Sequence, residues 1–489
     1  MGARTGQQYL AGLRDGREVW LNGERVEDVT AHPELAAAAR TVADLYDLQH
    51  TAAADCLARD PESGQPVNVS LLIPRSRADL EHRHRAFERI ARRTVGLMGR
   101  SPDYVNVTLA GFAGRWDVWA RNGNERGAEN LVRYHRECVR RDPCLTHALI
   151  HPTVDKALPD VAAGGGTVAL HKVADTDKGI LVRGARALAT LAPFADEIFV
   201  YPGQPIPKDA KPYALAFAIP MNTPGLKVLC RDSFASRRPP FDHPFASRFD
   251  EQDAVIIFDD VEVPAERVFL DGDPEVYNTV MATGWVANIM QQASVRAQVK
   301  LQFAYELGTA MARALGADNE TTRELLGELW TYYELTRAAV RAAEADARDW
   351  GNGVWLCDER PFRALRPTLP RWFPRVNEIL KLLGAHNLLA TPSAAELANP
   401  ALRPLIDQYY QGAGGTSAVE RIRLFRAAWD FVGTGLGGRN ELYERFYLAS
   451  AARTYQIAHL MAQREGGWTL LDEALPPFPD VPAREDAAS

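Results

Sequence analysis

Arg100 and Tyr104 flank the turn-forming run Ser101-Pro102-Asp103 and set an always-charged guanidinium beside a phenol hydroxyl. An arginine presents a rigid fork of donors, and the fixed φ of Pro102 holds the two side chains in a defined relation. The pair therefore suits a planar, polar or anionic ligand. From these five residues alone, a solvated arginine at a helix start is the readier reading. His147 and His151 stand four apart, the spacing at which two imidazoles on one helix face share a metal. Pro152 argues against a helix running comfortably past His151, and no third His or carboxylate stands at helical ligand spacing, so no metal is expected. On pattern alone His147 reads as a buried, satisfied imidazole.

Other motifs lack the context their chemistry requires. Asp259-Asp260 lies where a strand gives way to a turn and reads as loop chemistry. No Gly-x-Ser-x-Gly elbow supports a serine nucleophile. Gly433-Thr434-Gly435-Leu436-Gly437-Gly438 follows a helix rather than a strand, and no Gly-x-x-x-x-Gly-Lys-Ser/Thr run occurs, so neither nucleotide fingerprint is in place. That glycine cluster reads as a helix break.

The elements that position these residues follow from the apolar spacing. Helices are expected over residues 36–46 and 79–98, and strands are scarce before His147. Short β-branched or aromatic runs at 167–173, 179–188, 197–201, 213–219, 226–231 and 254–258, separated by Gly, Pro, Asp and Asn, predict strands and turns. Beyond about residue 277 the chain is helical again, with one continuous helix predicted over 280–315. Thr321 with Glu324 and Ser417 with Glu420 fit capping boxes; Gly433 ends the helix begun at Ser417, and Gly437-Gly438-Arg439-Asn440 makes a second break. The expected division is a helical domain (1–147), a β-barrel-like domain (148–274), a helical bundle (275–474) and a flexible tail (475–489). This order argues against a doubly wound α/β sheet.

At 489 residues, 46% apolar and 24% charged, the chain reads as globular and large enough for two or three packed subdomains. A net charge of -7 and the lack of a dominant basic stripe argue against nucleic acid as a partner. The run from Arg83-His84-Arg85 to Arg92-Arg93, punctuated by Glu88, reads as a solvated helix face. No apolar run is long enough for a membrane span, and the N-terminus lacks a signal-peptide stretch. Five scattered cysteines (Cys56, Cys138, Cys144, Cys230 and Cys357) read as reduced thiols in a cytoplasmic protein.

Ordered matches along the chain carry more than a fold class. They are Arg4-Thr5-Gly6, Tyr46-Asp47-Leu48-Gln49-His50, Gly99 to Asn106, Thr146-His147-Ala148-Leu149 with Pro152, Gly184-Ala185-Arg186 with Ala189-Thr190, Ser247-Arg248-Phe249-Asp250-Glu251, Trp429-Asp430 and Glu441-Leu442-Tyr443-Glu444-Arg445-Phe446. Through them nearly the whole chain resembles the 4-hydroxyphenylacetate 3-hydroxylase family, the oxygenase half of two-component flavin monooxygenases. The resemblance implies an α+β, mainly helical, acyl-CoA-dehydrogenase-like fold with an N-terminal helical domain, a middle β domain and a C-terminal four-helix bundle, assembled as a homotetramer. It also implies FAD, delivered as FADH2 by a separate reductase, which reacts with O2 to a C4a-hydroperoxide that hydroxylates a phenol ortho to its hydroxyl.

Residue by residue, the resemblance makes Arg100, Tyr104 and His147 the phenol-binding and catalytic trio. It assigns the flavin to Arg100, His147, Ala148, Leu149, Thr153, Val154, Asp155, Lys156, Thr190, Ser450 and Arg453. The late segment departs from the family, which shows Asp-Pro where this chain has Ser450-Ala451, and His151 replaces a usual Asn. The sharpest departure is Pro202-Gly203-Gln204-Pro205, where members acting on 4-hydroxyphenylacetate can present Ser-Thr to the substrate carboxylate. Losing both hydroxyls removes two donors, and Gly203 is expected to open space. Gly203 and Gln204 thus become substrate contacts for a bulkier phenol, such as a tyrosine derivative, an amide or an aminoacyl group on a carrier protein. Lys208 and Lys211 either assist an anionic tail or are solvated loop lysines. The alternatives are oxidation of a halophenol or at nitrogen, a flavin-binding protein without oxygenase activity, and a relative of the iron-sulfur CoA-thioester dehydratases, which the cysteine pattern disfavours.

Overall fold

The computed structural model describes residues 2–282 and 284–475. Strands β1 (Glu18–Leu21) and β2 (Glu24–Val26) form a hairpin, and β3 (Leu57–Arg59) with β4 (Pro66–Asn68) a small separate ribbon. Then come β5 (Leu145–Ala148), β6 (His171–Asp175), β7 (Gly179–Thr190), β8 (Glu197–Val200), β9 (Leu215–Pro220), β10 (Leu226–Cys230), β11 (Asp253–Pro264) and β12 (Val268–Asp271). A six-stranded sheet has the order β2-β1-β10-β11-β7-β6, and a four-stranded sheet the order β12-β9-β8-β5. Strands β8 and β9 are buried along nearly their whole length, which is why they read as continuous apolar runs rather than alternating ones.

Strands are less scarce near the N-terminus than expected. β1 runs parallel to β10 with Val19 opposite Val228, and joins the edge of the large sheet. A strand of four residues and one of three carry too little alternation to stand out. The boundary expected after residue 147 falls inside β5, which lies parallel to β8 with His147 opposite Phe199.

The helices of the first half are α1 (Gly6–Gly12), α2 (Ala36–Thr51), α3 (Ala53–Cys56), α4 (Arg77–Arg93), α5 (Pro102–Gly114), α6 (Trp116–Trp119) and α7 (Glu125–Arg141). Those of the second half are α8 (Pro274–Val280), α9 (Trp285–Leu315), α10 (Glu320–Ala345), α11 (Glu359–Gly384), α12 (Ala394–Ala398), α13 (Arg403–Tyr409), α14 (Ala418–Val432), α15 (Gly435–Phe446) and α16 (Ala451–Glu465). The long helices α9, α10, α11 and α14 pack on one another around Leu301, Met311, Leu329, Phe373, Ile379 and Phe425. Helices α4 and α5 lie against α9, so the N-terminal helices, the sheets and the bundle share one core.

Several local expectations change. The helix predicted over 280–315 is continuous but starts only at Trp285, because Gly284 takes φ +88° just before α9, where a Cβ would meet Leu356 Cδ1 at 2.5 Å. Asn319, not Thr321, caps α10 by accepting from the Thr322 amide, whereas the Ser417–Glu420 box forms as expected. Gly437 to Asn440 do not break a helix: they lie within α15, whose N-cap is Thr434, and the interruption is confined to Gly433–Thr434. Asp259 and Asp260 sit within β11 at a bulge, paired with Lys227 and Arg183 rather than free in a loop.

The basic run on α4 is not uniformly solvated. Arg83 is buried and donates to Asn288 Oδ1 at 2.8 Å, and His84 Nδ1 meets Glu344 at 2.6 Å, while Arg85, Arg89, Arg92 and Arg93 face out. Asn288 on α9 and Glu344 on α10 receive these two side chains, and charge counting along one helix cannot see its partners. Residues 476–489 of the expected tail lie outside the described residues. Among the described residues, no helix is long and apolar enough to cross a membrane.

Candidate active site

Pro102 stands in the first turn of α5, where its missing N–H costs nothing because that donor has no helical partner. The two amides just upstream, of Gly99 and Arg100, donate to Glu251 Oε1 and Oε2 at 3.0 and 2.9 Å. Position 99 must be glycine, because a Cβ there would fall 2.1 Å from the Tyr443 hydroxyl. Arg100 and Tyr104 are thus brought together around the helix start, with the guanidinium carbon 4.0 Å from the Tyr104 ring centroid. The surface-helix reading fails, since Arg100 is only 8% exposed.

His147 comes from β5, not from a helix, so the four-residue spacing to His151 carries no shared helical face. Its ring lies 5.4 Å from that of Tyr104 and 5.7 Å from that of Tyr201, centroid to centroid. The His147 Nδ1 atom is buried and has no hydrogen-bond partner among the described residues. Burial, reinforced by the Arg100 charge, pushes the His147 pKa well below its ordinary value, so the imidazole is neutral. Burial opposes the charge on Arg100, yet the hydroxyls of Tyr104, Tyr443, Tyr201 and Tyr447 more than compensate and hold its pKa above the ordinary value. Its Nη1 donates to the Tyr443 hydroxyl at 2.7 Å, and the guanidinium makes no ion pair among the described residues. The result is a buried, uncompensated cation beside a neutral imidazole and a phenol, an arrangement suited to an anionic aromatic oxygen.

The remaining sequence candidates surround this centre unevenly. Ala148 is buried on β5, and the Leu149 carbonyl accepts from Arg186 Nη1 at 3.1 Å. Thr190 ties β7 to β5 and β11: its carbonyl accepts from Thr146 Oγ1 at 2.7 Å, and its hydroxyl donates to Asp253 at 2.7 Å. Thr153, Val154, Asp155 and Lys156 form an exposed loop after β5. Ser450 caps α16 by accepting from the Arg453 amide at 3.4 Å, and the Arg453 side chain is exposed. Gln204 is exposed as well. Gly203 does not open space as expected: a Cβ there would lie 2.4 Å from the Leu149 carbonyl oxygen, so glycine seats the 202–205 loop directly on the segment after His147.

Sequence reasoning missed Tyr201, Glu251, Arg439, Tyr443 and Tyr447 as site residues. Glu251 and Tyr443 stand inside motifs already singled out, but the contact between Arg100 and Tyr443 spans 343 positions, which no local pattern reveals. Among the described residues no group of three His, Cys, Asp or Glu side chains could hold a metal.

Fold and site together define a mainly helical α+β protein with a buried phenol-facing cation. Models of the N-terminal and C-terminal parts of 4-hydroxyphenylacetate 3-hydroxylase match residues 5–270 and 276–475, and the chain belongs to that family. It is 38% identical over 466 residues to the 4-hydroxyphenylacetate 3-monooxygenase oxygenase component of Thermus thermophilus, covering 95% of each chain. It is 36% identical to a Streptomyces globisporus monooxygenase of (3S)-3-amino-3-(3-chloro-4-hydroxyphenyl)propanoyl-[peptidyl-carrier protein SgcC2], covering 95% of this chain and 88% of that one. Among solved structures, the oxygenase component of 4-hydroxyphenylacetate 3-monooxygenase complexed with FAD and 4-hydroxyphenylacetate superposes with a TM-score of 0.92 at 36% identity, covering 97% of this chain and 98% of that one.

Proposed function

We propose that this protein is an FAD-dependent phenol monooxygenase, the oxygenase component of a two-component system that places one oxygen ortho to the hydroxyl of a 4-hydroxyphenyl compound. The observation that carries the reading is the convergence of Arg100, Tyr104 and His147 in a buried site whose cation has no carboxylate partner among the described residues. The residues also fit a flavin. His147 Nδ1 is an orphaned buried atom, and Thr153, Lys156 and Arg453 present exposed polar side chains. Arg100, His147, Ala148, Leu149, Thr153, Val154, Asp155, Lys156, Thr190, Ser450 and Arg453 would hold it. Bound FAD, received in its reduced form from a separate reductase, supplies the activation of O2.

The chain's own residues do the rest. The Arg100 fork binds the phenol oxygen and favours phenolate, which makes the ortho carbon a better nucleophile. Neutral His147 offers one ring nitrogen to accept the hydroxyl proton and the other to donate. Tyr104 supplies a third contact to the same oxygen, and burial keeps water away from the reacting centre.

The substrate reading is a tyrosine-like phenol, free or tethered to a carrier protein. It is supported by the loss of the Ser-Thr pair at Gly203-Gln204 and by the carrier-tethered substrate of the Streptomyces relative. The test combines protein, FAD, NADH, a general flavin reductase and a panel of free and carrier-bound phenols, with mass spectrometry for the gain of one oxygen. Rapid turnover of free 4-hydroxyphenylacetate with poor turnover of larger phenols overturns the substrate reading, and no oxygenated product from any phenol overturns the function.

A homotetramer is part of the same reading, as is a cytoplasmic setting, with which the five unpaired cysteines agree. Leu442 and Phe446, one turn apart on α15, are 60% and 57% exposed and form an apolar surface. The double substitution Leu442→Glu with Phe446→Glu is expected to lower the mass measured by light scattering to that of a smaller assembly. An unchanged tetrameric mass places the interface elsewhere.

A further inference from the structure

Two motifs that the functional reading leaves unused converge on Arg100. From one side comes Glu251, fully buried, whose two carboxylate oxygens accept the Gly99 and Arg100 amides. Arg439 holds it there, donating to Glu251 at 2.7 Å and to Asp253 at 2.6 Å. From the other side comes Tyr443, whose hydroxyl accepts Arg100 Nη1 at 2.7 Å. Its ring stacks on Tyr447 with centroids 4.6 Å apart, and Tyr447 accepts from Arg296 at 3.1 Å. Arg296 and Lys300 both pair with buried Glu444, at 2.7 and 2.8 Å.

Chemistry distinguishes Tyr443 from an ordinary ion-pair partner. Burial pushes its pKa well above the ordinary phenol value despite the opposing pull of Arg100, so it stays neutral. A neutral oxygen fixes one N–H of the fork without cancelling the charge. The Nε and Nη2 donors of Arg100 have no protein acceptor among the described residues and remain for a ligand.

We propose that Tyr443 is a positioning residue of the hydroxylation: its phenol oxygen, backed by Tyr447 and the Arg296–Glu444 pair, sets the Arg100 guanidinium in the orientation that receives the substrate phenolate, while Glu251 sets the same residue's backbone. This rests on the reading of Arg100 as the phenol ligand. The anchoring occurs before substrate arrives, so the side-chain entropy of the arginine is not charged against binding.

The test uses the FAD-loaded enzyme and 4-nitrophenol, whose phenolate is coloured. Tyr443→Phe removes one oxygen and is expected to weaken 4-nitrophenolate binding about tenfold, the scale of one hydrogen bond to a charged group, with kcat/KM for hydroxylation falling in parallel. The melting transition stays as in the parent enzyme, whereas general loosening of the fold would lower it. Glu251→Gln keeps its shape, frees the same arginine from the backbone side and moves the constant the same way; it decides the matter should Tyr443→Phe not fold. Parental or tighter phenolate binding in Tyr443→Phe overturns the proposal. Arg100→Ala separates the two readings: if it binds phenolate as the parent does, the assignment of Arg100 itself fails, whatever Tyr443 does.

Discussion

Arg100→Ala is expected to lower kcat/KM for hydroxylation by about 10²- to 10³-fold, the loss that follows removal of one preorganised donor to a developing or resident oxyanion. The fold should survive, because the guanidinium makes a single side-chain hydrogen bond, to Tyr443, and no ion pair among the described residues. Oxygenated product read by mass spectrometry, beside an unchanged melting transition, checks both halves. Full hydroxylation by the variant would remove Arg100 from the site. His147→Ala should be similarly impaired, and the pH profile adds a sign. Burial and then Arg100 drive the His147 pKa far below 6.5, so the neutral imidazole persists as pH falls through that value. No acid limb centred near pH 6.5 is therefore expected from His147, and finding one that vanishes in His147→Ala would contradict its buried, cation-flanked setting.

The largest effect on stability is expected at Glu444. Glu444→Ala leaves Arg296 and Lys300 buried without their shared counter-ion, and breaking a buried pair from one side costs about 3–5 kcal/mol. The carboxyl pKa carries the same message. Burial alone would raise it, but Arg296 and Lys300 hold it down to about 2 against 4.5 for the free group. A depressed folded pKa means that the stabilisation is fully present above pH 4.5 and is lost as pH falls toward 2, so acid unfolding of the parent includes a step that Glu444→Gln lacks. Urea titrations at neutral and acid pH measure both, and a neutral-pH loss under about 1 kcal/mol would place the ion triad among weakly coupled surface pairs.

Much of the molecule was legible because its signals are local. The helical stretches at 36–51 and 77–93 and the strands at 179–190, 197–200, 215–220 and 226–230 follow from apolar spacing within a few turns. The errors share one cause. Gly284 takes φ +88° just before α9, where a Cβ would meet Leu356, distant in sequence; Arg83 is buried because α9 offers Asn288; Gly203 packs on Leu149 instead of opening space. Each depends on what lies opposite, and that partner is tens to hundreds of residues away.

The site divides in the same way. Residue types and their order along the chain determined the family and the mainly helical α+β fold and singled out Arg100, Tyr104 and His147 as candidates, because side-chain chemistry and short spacings are properties of sequence. Only the tertiary structure decided that Arg100 is buried rather than solvated, that His147 is neutral on a strand, and that Glu251, Arg439 and Tyr443 hold the arginine in place. Burial, desolvation and a hydrogen bond spanning 343 positions arise when separate elements pack, and packing is a relation between residues that no single stretch of chain contains.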